Sequence, residues 1–201
     1  MMPAYRSEAE AEVRNAVIER LRSIRPHARI IHEINDGGSN RFDLMAVSPE
    51  EIISCEIKSS KDTLDLLPAQ MTAMLAMSHH VIVAIHEKHR DEYDKLANWR
   101  PRLWVYPEVK DDWRLAWRSP HETTQTAAPI RALRAVWKDE LLQICAAHRI
   151  SANSRSRCED MRRDLVWHLS GKELTRAICA AFRQRDCIEA DPPDISPKAT
   201  P

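Results

Sequence analysis

The sequence predicts a mixed α/β fold with a helical C-terminal region, on three observations. An amphipathic helical stripe opens the chain, and three short β-type runs follow it. One helical segment later comes VIVAI at 81–85, the continuous apolar pattern of a strand buried on both faces. Helical patterns then dominate from residue 130. Such an order points to a sheet covered by helices.

Residues 7–24 read as the first helix. Val13, Val17, Leu21 and Ile24 recur at helical spacing, and Ser7 with Glu10 has the form of a capping box. Arg25-Pro26 ends it. Residues 28–34 suit a strand, and 35–40, with Gly37 and Gly38, carry strong turn signals. Residues 42–47 and 52–58 are strands joined by Ser48-Pro49-Glu50-Glu51, a connection short enough to make them an antiparallel hairpin. A helix over 66–77, the strand 81–85, a polar helix over 89–98 and strands around 103–106 and 113–117 follow. Residues 130–148 and 157–183 read as helices separated by a polar loop. The expected organisation is an α/β domain over 1–125, a helical basic region over 126–187 and a disordered tail over 188–201. That tail holds Pro192, Pro193, Pro197 and Pro201.

The 201 residues and 43% hydrophobic content suit one globular domain, or one with an appendage. The three glycines, Gly37, Gly38 and Gly171, are decisive in another way. A P-loop, a dinucleotide-binding fingerprint and a nucleophile elbow all require closely spaced glycines in patterns that these do not supply. Five cysteines (Cys55, Cys145, Cys158, Cys179 and Cys187) form no Cys-x-x-Cys pair and are expected to be reduced. No leader-like or membrane-length apolar run is present, so a cytoplasmic location and no membrane partner are expected.

Thirty basic and 30 acidic side chains cancel, but not evenly along the chain. Residues 1–129 carry 17 basic and 20 acidic groups, 130–187 carry 12 and 7, and 188–201 carry 1 and 3. The helical part is the basic one. Its Arg155, Arg157, Arg162 and Arg163 cluster near a helix start and are candidates for phosphate-backbone contact.

The chemistry concentrates in Arg41-Phe42-Asp43-Leu44 and Ser54-Cys55-Glu56-Ile57-Lys58. Strand alternation sends Ile53, Cys55 and Ile57 to one face, and Ser54, Glu56 and Lys58 to the other. Asp43, on the partner strand, can reach the face of Glu56. Two close carboxylates repel unless a cation lies between them, and hard oxygen donors suit Mg²⁺ or Mn²⁺. A lysine beside such a cation can orient water or stabilise charge at phosphorus. The alternative is an exposed hairpin face bearing a solvated Glu/Lys pair. Asn40 and Arg41, flanking Asp43, are candidate phosphate contacts, as is Lys61 in the loop after the Glu-x-Lys strand.

The order helix with Glu, Asp, Glu-x-Lys on a hairpin, then helix resembles the PD-(D/E)XK nuclease superfamily over residues 7–86. The resemblance implies a restriction-endonuclease-like mixed sheet flanked by helices. It also implies a metal-dependent nuclease acting on DNA in repair, recombination or the processing of phage or mobile-element DNA, and it allows a homodimer. Carried over, it makes Asp43 and Glu56 metal ligands, the Ile57 carbonyl a third ligand and Lys58 the catalytic lysine. A helix-borne Glu joins the metal site in many members; Glu10 fits best, with Glu8 and Glu12 as alternatives. Gln70 matches the glutamine that branches resembling Holliday-junction resolvases and VRR-NUC proteins carry on the following helix. Phe42 stands where many members have proline. A catalytically inactive nucleic-acid-binding module of the same fold is the competing reading.

Other groups read as structural. His86 and His89 are three apart, not the four a zinc-protease helix needs, and are expected to be solvated. Cys145, His148, Cys158 and His168 have spacings unlike a zinc site. His32 and Glu33 are expected to form a hydrogen-bonded pair. Most of the six tryptophans are expected to pack, with Trp113 or Trp117 able to stack on a base.

Overall fold

The computed structural model describes residues 8–38, 40–96, 102–106, 130–187 and 190–191. The predicted strand at 113–117, the tail beyond 191 and Ser7 lie outside these. Helix α1 (Glu8–Ile24) buries Val13, Val17 and Leu21, as its apolar stripe requires, together with Arg14, which the stripe does not predict. Strands β1 (Arg29–Asn35), β2 (Arg41–Val47), β3 (Ile52–Lys58), β4 (His80–His86) and β5 (Arg102–Tyr106) form one sheet in that order. β1, β2 and β3 are antiparallel; β3, β4 and β5 are parallel. Helix α2 (Leu67–Met77) makes the crossover between β3 and β4, which parallel pairing demands.

Helices cover both faces. α1 lies over Ile30, Leu44, Ala46, Ile53, Cys55, Ile82, Ala84 and Trp104. The other face packs Ile31, Met45, Val47, Ile52, Val83 and Ile85 against α2, and that core continues into residues 132–182. The run 81–85 is buried on both faces, as its unbroken apolar character requires.

The C-terminal region is more broken than periodicity suggests. Residues 130–148 divide into a 3₁₀ turn, Ile130–Ala135, and helix α4 (Lys138–Ala147). Residues 157–183 divide into α5 (Cys158–His168) and α6 (Gly171–Gln184). Ser170 causes the second break: its hydroxyl accepts from Glu173 N while the Glu173 carboxylate accepts from Ser170 N, a capping box that starts a new helix. The expected polar helix at 89–98 is a 3₁₀ turn, Glu87–His89, followed by α3 (Arg90–Lys95). Buried Arg185 ties α6 to α4 through Glu140, and Arg29 of β1 donates to the carbonyls of Phe182 and Arg183 at the end of α6. Among the described residues no helix is long and apolar enough to cross a membrane.

Candidate active site

The site forms where β2 leaves β3. Their pairing ends at Leu44–Cys55, so Glu56, Ile57 and Lys58 ladder only with Val83, Ala84 and Ile85 of β4. β1 and β2 also lose simple alternation here. Ile31 and Ile34 are three apart yet join the same core layer, as do Phe42 and Met45. Glu33 and Asp43 stand opposite each other at the one position missing from the otherwise continuous β1–β2 ladder, and Glu33 has a left-handed backbone with φ 54°. A non-glycine residue in that region is strained, and such strain concentrates at functional positions.

Asp43 therefore sits in the opening between strands instead of standing on one face of β2. Its Oδ2 accepts the Ile57 N–H at 2.7 Å, replacing the missing ladder bond, and its Oδ1 meets Arg14 at 3.3 Å. The carboxylate lies beside the residue that separates Glu56 from Lys58. Burial raises its pKa against the opposing effects of the Ile57 amide and Arg14.

Glu56 and Lys58 are not a solvated surface pair: they are only 2% and 9% exposed. Lys58 Nζ donates to Glu56 Oε1 at 2.8 Å and to Gln70 Oε1 at 3.0 Å, while Gln70 Nε2 donates to Glu56 Oε1. Gln70, near the start of α2, thus fixes both charged groups from one amide. The second oxygen of Glu56, Oε2, is buried and has no hydrogen-bond partner among the described residues. Burial, then the nearby Asp43 charge, pushes the Glu56 pKa up to about 7.

Arg14 is the residue that sequence reasoning missed. Only 2% exposed, it donates to Glu10 Oε1 at 2.9 Å, Glu33 Oε1 at 3.0 Å and the Asp43 carbonyl at 3.0 Å, besides the Asp43 carboxylate. His32 Nδ1 lies 3.5 Å from the same guanidinium. His32 and Glu33 therefore converge on Arg14. Of the three helix-borne candidates, Glu10 joins this network, Glu12 accepts from the Tyr106 hydroxyl, and Glu8 is exposed. The available signal was spacing: Arg14 is four residues after Glu10 and directly beside Val13 on the buried face.

The other candidates are dispersed. Arg41 pairs with Glu33 Oε2 at 2.7 Å, and Asn40 braces the β1–β2 loop through Asp36. Lys61 is exposed. Arg155 and Arg157 are exposed before α5, whereas Arg163 pairs with Asp160. Arg162 donates to the carbonyls of Leu133 and Arg134 and pairs with Glu159. His89 is buried, not solvated, with Nε2 at 2.9 Å from the Ser59 carbonyl, which secures the loop after β3.

Among the described residues no group of three or more His, Cys, Asp or Glu side chains is poised around a metal position. The oxygen set on offer is two carboxylates, Asp43 and Glu56, plus the Ile57 backbone. That fits a cation that keeps much of its water, as Mg²⁺ does, and the second Glu56 oxygen is a donor without a partner among the described residues.

No curated protein matches the chain. A solved structure described as SPO1766 protein of unknown function from Silicibacter pomeroyi is similar at 20% identity and a TM-score of 0.39. The likeness covers 50% of this chain and 66% of that one, just under two thirds of its length. The family described as bacteriophage P4 protein cII matches residues 4–188, nearly the whole chain. The chain thus belongs to the bacteriophage P4 protein cII family.

Proposed function

We propose that this protein is a metal-dependent nuclease that hydrolyses phosphodiester bonds in DNA, with a core of the restriction-endonuclease-like type. One observation carries the reading: Asp43, Glu56 and Lys58 meet at the divergence of β2 and β3, with Gln70 bonded to both members of the Glu-x-Lys pair. The element order, helix, three antiparallel strands, crossover helix and parallel strand, supports it.

Asp43 and Glu56, with the Ile57 carbonyl, would hold Mg²⁺ or Mn²⁺, which would polarise the phosphate and acidify a bound water. Lys58, bonded through Nζ to Glu56, would supply positive charge where charge develops at phosphorus. Gln70 positions Lys58 and Glu56 relative to each other. Arg14 holds Asp43 from behind and links it to Glu10 and Glu33.

The test is cleavage of supercoiled plasmid and of branched DNA with Mg²⁺, comparing wild type with Asp43→Ala and Lys58→Ala. The proposal expects nicking by wild type and a loss of about a hundredfold or more in each variant. Equal cleavage by all three removes the site assignment.

One observation favours the inactive binding module instead. Arg14 already compensates Asp43 and Glu10, so a positive charge is built into the cluster. In that case DNA binding would be salt-dependent yet indifferent to Mg²⁺ and to Lys58→Ala.

A further inference from the structure

A cavity of about 280 Å³ opens on the face of α2 that carries Ala69, Thr72, Ala73 and Ala76. Its floor is this face of small side chains; its walls include Gly38 of the β1–β2 loop and Arg131 and Arg134 of the 3₁₀ turn. The small side chains on α2 leave the space open. The loop and the turn are locked together, because a Cβ on Gly37 would lie 2.3 Å from the Arg134 carbonyl oxygen. Arg162 fixes the turn from the other side through the Leu133 and Arg134 carbonyls.

Two arginines outnumber one carboxylate in this cavity. That carboxylate, Asp36, also accepts from the amides of Gly38 and Asn40 and from the Asn40 side chain. Arg131 and Arg134 form no ion pair with any acid among the described residues. The lining therefore joins two arginines that have no ion-pair partner among the described residues to the small side chains of α2. Guanidinium forks match phosphate oxygens, and a floor of small side chains matches a sugar or base face.

We propose that this cavity receives one nucleotide unit of a DNA single strand. Arg131 and Arg134 hold its phosphate, and the small-residue face of α2 supports its base or sugar. The inference rests on the nuclease reading for its substrate, but it is tested by binding alone.

The experiment measures fluorescence anisotropy of a labelled single-stranded DNA oligomer on the full chain, with EDTA present and salt varied. Arg131→Ala with Arg134→Ala should weaken binding about tenfold or more and lower the salt slope by roughly 1.4. Ala69→Leu and Ala73→Leu, which fill the cavity and keep its charges, should weaken binding by a comparable factor with an unchanged salt slope. Ala69 is exposed, so its variant tests the cavity even where Ala73→Leu fails to fold. Full affinity in Ala69→Leu overturns the cavity assignment, as does full affinity in the double arginine variant. Competition by free deoxynucleoside monophosphate as strong as that by the oligomer overturns the assignment to a strand. Binding that is sensitive to these variants in a protein that cleaves no DNA upholds the cavity and removes only the nuclease reading.

Discussion

Replacing Arg14 by methionine keeps most of the side-chain volume and deletes the charge that three carboxylates share. Arg14 is 2% exposed, while Glu10, Glu33 and Asp43 retain 15%, 25% and 22% exposure and so some contact with water. Breaking a fully buried pair costs about 3–5 kcal/mol. Water at the three partners reduces this to about 2–3 kcal/mol at neutral pH. The dependence on pH is the sharper expectation. Burial already raises the Asp43 pKa, with the Ile57 amide and Arg14 opposing it, and removal of Arg14 raises it further. A carboxylate whose folded pKa is raised costs stability while charged, and that cost disappears as pH falls through the folded pKa. Urea denaturation should therefore show Arg14→Met destabilised by about 2–3 kcal/mol at neutral pH and by under about 1 kcal/mol near pH 4. A penalty of the same size at both pH values would show that packing, not charge, is what Arg14 contributes, and would refute the reasoning.

Other perturbations test other parts of the fold. Gly37→Ala should cost about 2 kcal/mol or more by thermal denaturation, because φ is 78° and the new Cβ would strike the Arg134 carbonyl. Glu51 is held down to about pKa 2 by hydrogen bonds from His80 and then Arg25, so its contribution is complete above the ordinary carboxylate range and is lost as pH falls toward 2. Wild type should accordingly lose about 2 kcal/mol more than Glu51→Gln over that interval in acid titrations followed by circular dichroism. Arg185→Met leaves Glu140 buried without its partner and should cost about 3–5 kcal/mol in urea melts, with Glu140→Gln in the same chain recovering most of it.

Local pattern revealed the elements whose physics is local. The turn at 48–51 fixed the β2–β3 hairpin, and the unbroken apolar run 81–85 foretold a strand covered on both faces. The pairing of Glu56 with Lys58 followed from alternation alone, and Gln70 from resemblance; the structure brings all three within hydrogen-bonding distance. What stayed hidden depends on distant parts of the chain. Arg14 reads as a stray charge beside an apolar stripe until Glu33 and Asp43 arrive from the sheet. The break in alternation at Glu33 and Asp43 arises from two strands meeting, which neither run announces by itself. The break before α6 was legible, since Ser170 and Glu173 have capping-box spacing, but helical periodicity masked it. The helical reading of 130–135 failed for a related reason: a 3₁₀ turn buries Ala132, Leu133 and Ala135 much as an α-helix would.

Among the described residues, the outer margin of β1 is covered by residues 190 and 191. Ala190 bridges Ile31, Asp191 N donates to the Ile30 carbonyl, and the Asp191 carboxylate accepts from Ile30 N. Arg22 and Arg29 hold Asp191 in place from α1 and β1. A free margin invites pairing with another chain. Here its cover lies 161 residues downstream of Ile30, so during synthesis the margin stays bare until nearly all of the described fold has been made. Shortening the chain before Ala190 would uncover Ile30 and Ile31 and leave this margin free to pair with another chain, at any stage of the protein's life and not only during synthesis.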